Sequence, residues 1–342
     1  MARDHELRIT AGEVVLSGTL TVPDPAPETD GDRRVPAVLL LPSFLPRDRS
    51  GRLDRRRHPG WFLPSRRDEP GVLARLAAAL ASRGVASLRY DKRGCGRSGG
   101  RWSEAGLFTL VDDARDAVGV LRGHPAVDPT RIGLVGHGEG AWLALSAAAA
   151  DPAIGPLTLI GAPARGLRDT LRRSVSERAR RRRRRPATPG HPFVLALDRG
   201  LEELIERADR GEARMVLALP GGRRAVLGLA AWEQGMQISS RALATLQRRS
   251  VTLAHGTADD WVDRDESGLL ATALRDVGAP RRVLVPGAGH DLTSAPPELW
   301  RDLASDLAAR LQPRRLPTVL LSIADPPRGP AAGPSVTDRG LR

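Results

Sequence analysis

Cysteine occurs once in the 342 residues, as Cys95, so no internal disulfide can form, and a reducing compartment suits the chain. It lies among glycines and reads as a small filler rather than a reactive thiol. Aromatic residues make up only 3% of the chain, with tryptophans scattered at 61, 102, 142, 232, 261 and 300. Such a distribution gives few platforms for stacking bases, and core packing is the default role of each ring. No stretch reaches the roughly 18 uncharged apolar residues that a membrane helix needs, and the opening MARDHELRITAG holds no signal-peptide core, which points to a cytoplasmic protein. Lys92 is the single lysine, and the Gly-rich 94–100 lacks the Lys-Ser/Thr pair of a phosphate loop, so no nucleotide cofactor is expected. No C-x-x-C or H-x-x-x-H spacing occurs, and no metal is expected either.

Acidic residues are outnumbered, giving a net charge of +13, but the excess is local. Residues 165–185 hold eleven arginines against Asp169 and Glu177, and residues 313–342 hold five against Asp325 and Asp338, which leaves the remainder near neutrality. The six-residue run Arg180–Arg185 has the charge to meet nucleic acid or an anionic surface, yet it has no interleaved aromatics. A solvated helix end or loop explains it as well.

What is present is an alternation of strand-like and helix-like segments. Strand patterns cover 13–22, the apolar run PAVLLLP at 36–42, 86–90, 132–135, 157–160, 251–255 and 282–285. Helical spacing covers 73–80, 108–121, 141–150, 265–277 and a final stripe of Leu299, Leu303, Leu307 and Leu311. This order predicts an α/β fold, a mostly parallel sheet with helices on both faces. Its core is expected in 1–163 and 248–312. Residues 164–247 interrupt the alternation and read as an inserted lid or cap, and the Pro-rich 313–342 as a disordered tail.

The segment IGLVGHGEGAW, 132–142, has the outline of a strand–turn–helix elbow of the G-x-S-x-G type, which lifts a nucleophile above a sheet edge. The nucleophile position is Gly138, which has no side chain. Three further motifs follow the same order: RYDKRGCGRSGG at 89–100, HGTADDWV at 255–262 and GAGHDL at 287–292. Together they resemble the α/β-hydrolase family, more narrowly bacterial serine hydrolases related to dipeptidyl aminopeptidases and acyl esterases. That resemblance implies Asp259 as the acid, with Asp260 the competing position, and His290 as the general base. It implies that the 89–100 loop is structural, braced by Asp91 and Arg93. It also implies an oxyanion hole of backbone N–H groups from Glu139 and from Ser43 and Phe44, where bulky Phe44 and Leu45 replace the glycine-rich turn of related proteins.

Glycine at 138 removes the attacking atom and relieves the strain of the elbow conformation. The leading expectation is therefore a pseudohydrolase that binds an ester- or amide-type small molecule or a partner. Two alternatives stay open: a weak hydrolase in which His290 and Asp259 activate water directly, and an arginine-driven binder on a hydrolase scaffold. If a serine nucleophile exists elsewhere, Ser43 and Ser98 are the places to look.

Overall fold

The computed structural model describes residues 2–24, 34–58, 71–184, 192–219, 221–275 and 278–312, without the side chains of 181–184 and 192–195. The segment expected to form a disordered tail, 313–342, lies outside the described residues, as does Arg185 at the end of the arginine run.

Ten strands and nine α-helices are described. An antiparallel hairpin, β1 (Ala2–Ala11) and β2 (Val14–Pro23), leads into β3 (Val35–Leu41), α1 (Val72–Ala81), β4 (Ala86–Tyr90), α2 (Leu107–Gly123), β5 (Val127–His137), α3 (Glu139–Ala150) and β6 (Leu157–Ile160). An insertion follows: α4 (Leu167–Arg184), α5 (Pro192–Asp209), the hairpin β7 (Arg214–Ala218) and β8 (Arg224–Gly228), α6 (Ala230–Gln237) and α7 (Ser240–Thr245). The chain then returns to the sheet with β9 (Val251–Gly256), α8 (Asp265–Ala273), β10 (Arg281–Val285) and α9 (Pro297–Arg310).

The eight-stranded sheet has the order β1-β2-β4-β3-β5-β6-β9-β10, parallel from β4 to β10. This is an α/β-hydrolase fold. Its central strands are buried on both faces, which explains why β3 reads as a continuous apolar run rather than an alternation. One face packs under α2, α3 and α8 through Leu39, Leu134, Leu143 and Leu270; the other packs under α1 and α9 through Leu40, Val135, Leu76 and Leu303. Helix α3 is buried on nearly all sides, so its Ala-rich sequence has no polar face.

The insertion has a core of its own, in which Leu197, Leu204, Leu217, Leu227 and Trp232 pack with Leu45 and Trp102 of the main body. Several of its arginines have acidic partners. Arg168 and Arg172 of α4 meet Asp209 and Glu202 of α5, and buried Arg178 binds Asp198 at 2.7 Å and the Asp260 carbonyl at 2.9 Å. No helix among the described residues is long and apolar enough to cross a membrane.

Candidate functional site

Every sequence-derived site residue lies at the C-terminal end of the parallel strands, where open α/β sheets place their ligands. Asp259 follows β9 and accepts hydrogen bonds at Oδ1 from the N–H groups of Trp261 and Val262, both at 2.9 Å. These bonds fix the carboxylate so that Oδ2 meets His290 Nδ1 at 2.9 Å, while Asp260 contributes its carbonyl to Arg178 instead. Gly161, at φ +54°, lies beneath the pair, and a Cβ there would lie 3.1 Å from the imidazole. With Nδ1–H donating to Asp259, Nε2 of His290 is left as the acceptor, the tautomer a general base requires.

The Nε2 atom has a partner. Ser43 Oγ lies 3.0 Å away, within hydrogen-bond reach, and Ser43 itself is only 1% exposed. The sequence gives Ser43 a backbone role in the oxyanion hole and, with Ser98, names it as a place for an alternative nucleophile; its hydroxyl points toward the imidazole. Sheet register explains how this serine arrives there. β3 and β5 are adjacent and parallel with Leu41 opposite Gly136, so Ser43 and Gly138 each stand two residues beyond paired strand positions. Gly138 keeps the elbow backbone, φ +55° and ψ −115°, at the start of α3. A Cβ on Gly138 would overlap Ser43 Oγ and lie 2.9 Å from His290 Nε2. The serine hydroxyl therefore fills the volume that an elbow side chain would take.

The loop carrying Ser43 is held tightly. Leu45, two residues on, is buried at φ +75°, a left-handed conformation rare for leucine, and Leu292, two residues after His290, has φ +47°. Backbone strain of this kind persists only where surrounding contacts enforce it. Arg47 supplies several of those contacts: Nε donates to the Phe44 carbonyl at 2.9 Å, Nη1 to the Gly51 carbonyl at 2.6 Å, and Nη2 pairs with Asp291 at 3.3 Å. Lys92, 2% exposed, donates to Glu139 Oε2 at 2.5 Å and lies 3.4 Å from the Ser43 carbonyl. One buried cation thus ties the β3 loop to the start of α3. Among the described residues, neither the Phe44 nor the Glu139 N–H donates to a protein acceptor.

Two more histidines surround the pair, and sequence reading singled out neither as functional. His137 lies beside His290, ring centroids 4.7 Å apart, and its Nε2–H donates to the His290 carbonyl at 3.0 Å. Burial and the neighbouring imidazole push its pKa down to about 3, so it is a neutral spacer at working pH. His255 Nε2–H lies between the Val262 carbonyl at 3.0 Å and Asp259 Oδ2 at 3.3 Å. Burial alone would lower the pKa of His290, but the charge and hydrogen bond of Asp259 outweigh it and hold the group above ordinary imidazole. Asp259 is correspondingly driven well below the usual carboxylate range by its histidine neighbours, against its own desolvation.

Above the serine opens a cavity of about 100 Å³ lined mainly by apolar groups, among them Phe44, Leu107, Trp142, Leu171, Trp232 and Trp261. It lies between the strand ends and the insertion. Ser98, the second serine singled out from sequence, is not in this group: its hydroxyl donates to the Asp91 carbonyl at 2.6 Å and accepts from the Ser17 N–H. The 89–100 loop is structural in this sense, with Asp91 held by Arg49 at 2.8 Å and Arg93 paired with Asp113. In that loop burial pushes the Cys95 thiol up to about 12. Asp54, His58 and Cys95 lie close together, but Asp54 accepts from the Arg57 and Gly96 N–H groups and His58 Nε2 lies 3.1 Å from the Gly94 carbonyl. Hydrogen bonds between the 54–58 segment and the 89–100 loop account for that cluster.

Comparison with known proteins agrees with this architecture. The family model described as serine aminopeptidase, S33, matches residues 63–296, more than half of the chain. The acyltransferase drtE of Aspergillus calidoustus is 35% identical over 129 residues, covering 35% of this chain and 40% of its own length. The polyketide transferase ATR5 of Stachybotrys chlorohalonatus is 37% identical over 106 residues, covering 27% of this chain and 36% of its own length. The chain thus spans less than half the length of either relative. The solved structure of the α/β hydrolase GrgF from Penicillium sp. sh18 superimposes with a TM-score of 0.60 at 18% identity, covering 90% of this chain and 98% of that one, a likeness of fold. The chain belongs to the serine aminopeptidase S33 family of α/β hydrolases.

Proposed function

We propose that this protein transfers acyl groups from esters or thioesters through a covalent intermediate on Ser43, with His290 as general base and Asp259 as its orienting acid. One observation carries the reading: the Ser43 hydroxyl lies 3.0 Å from the basic nitrogen of the His290–Asp259 pair, in the volume left open by Gly138.

In the first step Ser43 Oγ attacks the acyl carbonyl as its proton passes to His290 Nε2. The negative charge that develops on the carbonyl oxygen is met by the Phe44 and Glu139 N–H groups. Collapse expels the alkoxide or thiolate, which takes the proton from His290. Water, or an alcohol or amine acceptor, then attacks the acyl carbonyl as its proton passes to the same imidazole, and collapse releases the acyl product as Ser43 Oγ leaves and takes that proton back. The insertion acts as a lid that roofs the acyl pocket and excludes bulk water.

Charge argues for acyl chains over peptide N-termini. An aminopeptidase needs a free carboxylate for the substrate ammonium, and the carboxylate beside the nucleophile, Glu139, is already bound to Lys92 at 2.5 Å. The named relatives, an acyltransferase and a polyketide transferase, fit the same direction. A pseudohydrolase that binds an ester-like ligand without turnover, and a water-activating His290–Asp259 pair, both require that Ser43 stay unmodified. Treatment with a fluorophosphonate probe and mapping of the adduct decides between them. Labelling of Ser43, lost in Ser43→Ala, is expected; an unlabelled native protein would overturn the Ser43 reading in favour of ligand binding or of water activated by His290 and Asp259.

A further inference from the structure

The acyl pocket contains two polar groups that the reaction does not use. Thr170, on α4, and Ser240, at the start of α7, both line the cavity, and they are 6% and 0% exposed. Neither Thr170 Oγ1 nor Ser240 Oγ has a hydrogen-bond partner among the described residues. Buried hydroxyls are normally satisfied, because an unpaired one carries its full desolvation penalty. Nearby groups show the contrast: Ser174, one turn beyond Thr170, donates to the Thr170 carbonyl at 2.8 Å.

The charged groups at the wall are, by comparison, already matched. Arg165 is paired with buried Glu266, which also accepts the N–H groups of Ala164 and Arg165 at 2.8 and 3.0 Å. Glu139 is paired with Lys92, and His290 with Asp259. A charged acyl chain would find no free counter-charge on these walls, while a plain alkyl chain would leave both hydroxyls unpaired against hydrocarbon.

We infer that Thr170 and Ser240 form a recognition site for an oxygen along the acyl chain, so that the preferred acyl group is neutral, mainly hydrocarbon, and bears a carbonyl or hydroxyl remote from the reacting carbon. The inference rests on the acyl-transfer reading for the identity of the ligand, and its test is a binding measurement that needs no turnover. Each hydroxyl can donate to a chain carbonyl or accept from a chain hydroxyl. Satisfying one such group gains about 1–2 kcal/mol, or roughly 5- to 30-fold in affinity, and a chain lacking the oxygen forgoes that gain.

Trp142, Trp232 and Trp261 line the same cavity, so occupancy can be read by tryptophan fluorescence. The probes are a medium-chain methyl ketone and a series carrying a second carbonyl at successive carbons, titrated into wild-type protein, Thr170→Val and Ser240→Ala. In the wild type at least one diketone should bind roughly 5- to 30-fold more tightly than the monoketone. Thr170→Val or Ser240→Ala should bring that ratio toward one while monoketone affinity is unchanged or higher. The inference is overturned if all ketones bind alike to the wild type, or if the preference survives in both variants. Because the assay measures equilibrium binding, loss of the Ser43 reading would leave its outcome unaffected, and a negative result here would leave Ser43 labelling intact.

Discussion

Exchanging the two loop residues, Ser43→Gly with Gly138→Ser, tests whether one volume serves either position. A Cβ on Gly138 overlaps Ser43 Oγ and lies 3.0 Å from Ser43 Cβ and 2.9 Å from His290 Nε2. Gly138→Ser alone therefore cannot simply add a second hydroxyl; it must push Ser43 off the imidazole. Its backbone, at φ +55° and ψ −115°, also costs a side-chain-bearing residue about 1–3 kcal/mol. Ser43→Gly alone removes the nucleophile and should lower kcat for an activated ester on the order of 10⁴-fold or more, as expected when one member of a cooperating catalytic set is lost. In the double exchange both obstructing atoms of Ser43 are gone, and the elbow serine can meet His290 from the adjacent strand. Ester hydrolysis should return to well above the level of either single variant, with the fluorophosphonate adduct now on the serine introduced at position 138. Thermal denaturation of the same four proteins separates loss of chemistry from loss of folding. The reasoning fails if Ser43→Gly retains activity within about ten-fold of wild type, or if Gly138→Ser alone raises the rate about a hundred-fold with Ser43 in place.

Asp259→Asn should keep the fold but reduce kcat about 10⁴-fold, because the amide no longer holds the productive imidazole tautomer. The acid limb of kcat/KM should lie above the ordinary imidazole value of 6.5, since His290 is held up by Asp259 and is active only when neutral; any residual rate of Asp259→Asn should show that limb moved to lower pH, where burial alone sets it. Arg47→Met should cost about 1.5–3 kcal/mol by removing charged hydrogen bonds to the Phe44 and Gly51 carbonyls, seen as a lower Tm, and should depress kcat more than it raises KM because Ser43 loses its fixed loop. Cys95, whose thiol is pushed up to about 12 by burial, should react with iodoacetamide near neutral pH only when the protein is unfolded; stoichiometric alkylation of the native form would contradict that burial.

Much of this architecture is legible in the amino-acid order. The apolar runs of β3 and β5 and the Ala-rich α3 announce a buried parallel sheet with its central helix, and the likeness of HGTADDWV and GAGHDL to the family's motifs points to Asp259 and His290. Other elements hide for identifiable reasons. β1 is exposed along most of its length and pairs only with β2, so ARDHELRITA lacks the alternation of a half-buried strand. The β7–β8 hairpin does alternate, MVLA against AVLG, around glycines at φ +76° and +72°, within an insertion whose arginine-rich sequence otherwise reads as helical. The position of the Ser43 hydroxyl belongs to neither kind of signal. It depends on the register between β3 and β5, strands some ninety residues apart in sequence, and no local pattern encodes a register of that kind.

That register changes what the missing elbow side chain means. Read along the chain, glycine at 138 is a deleted nucleophile. In the folded protein, Gly138 and Ser43 compete for one place beside His290 Nε2, and a side chain on either excludes the other. The residues around Ser43 then have a shared purpose. Arg47 grips the carbonyl beside the serine, Lys92 links its loop to α3 through Glu139, and Leu45 is held in a conformation that leucine avoids. A loop kept only as a relic of chemistry would have been free to relax that strain, gaining stability at no functional cost. The strain at Leu45, next to a serine whose hydroxyl lies 3.0 Å from an oriented histidine, is consistent with the nucleophile proposed at Ser43.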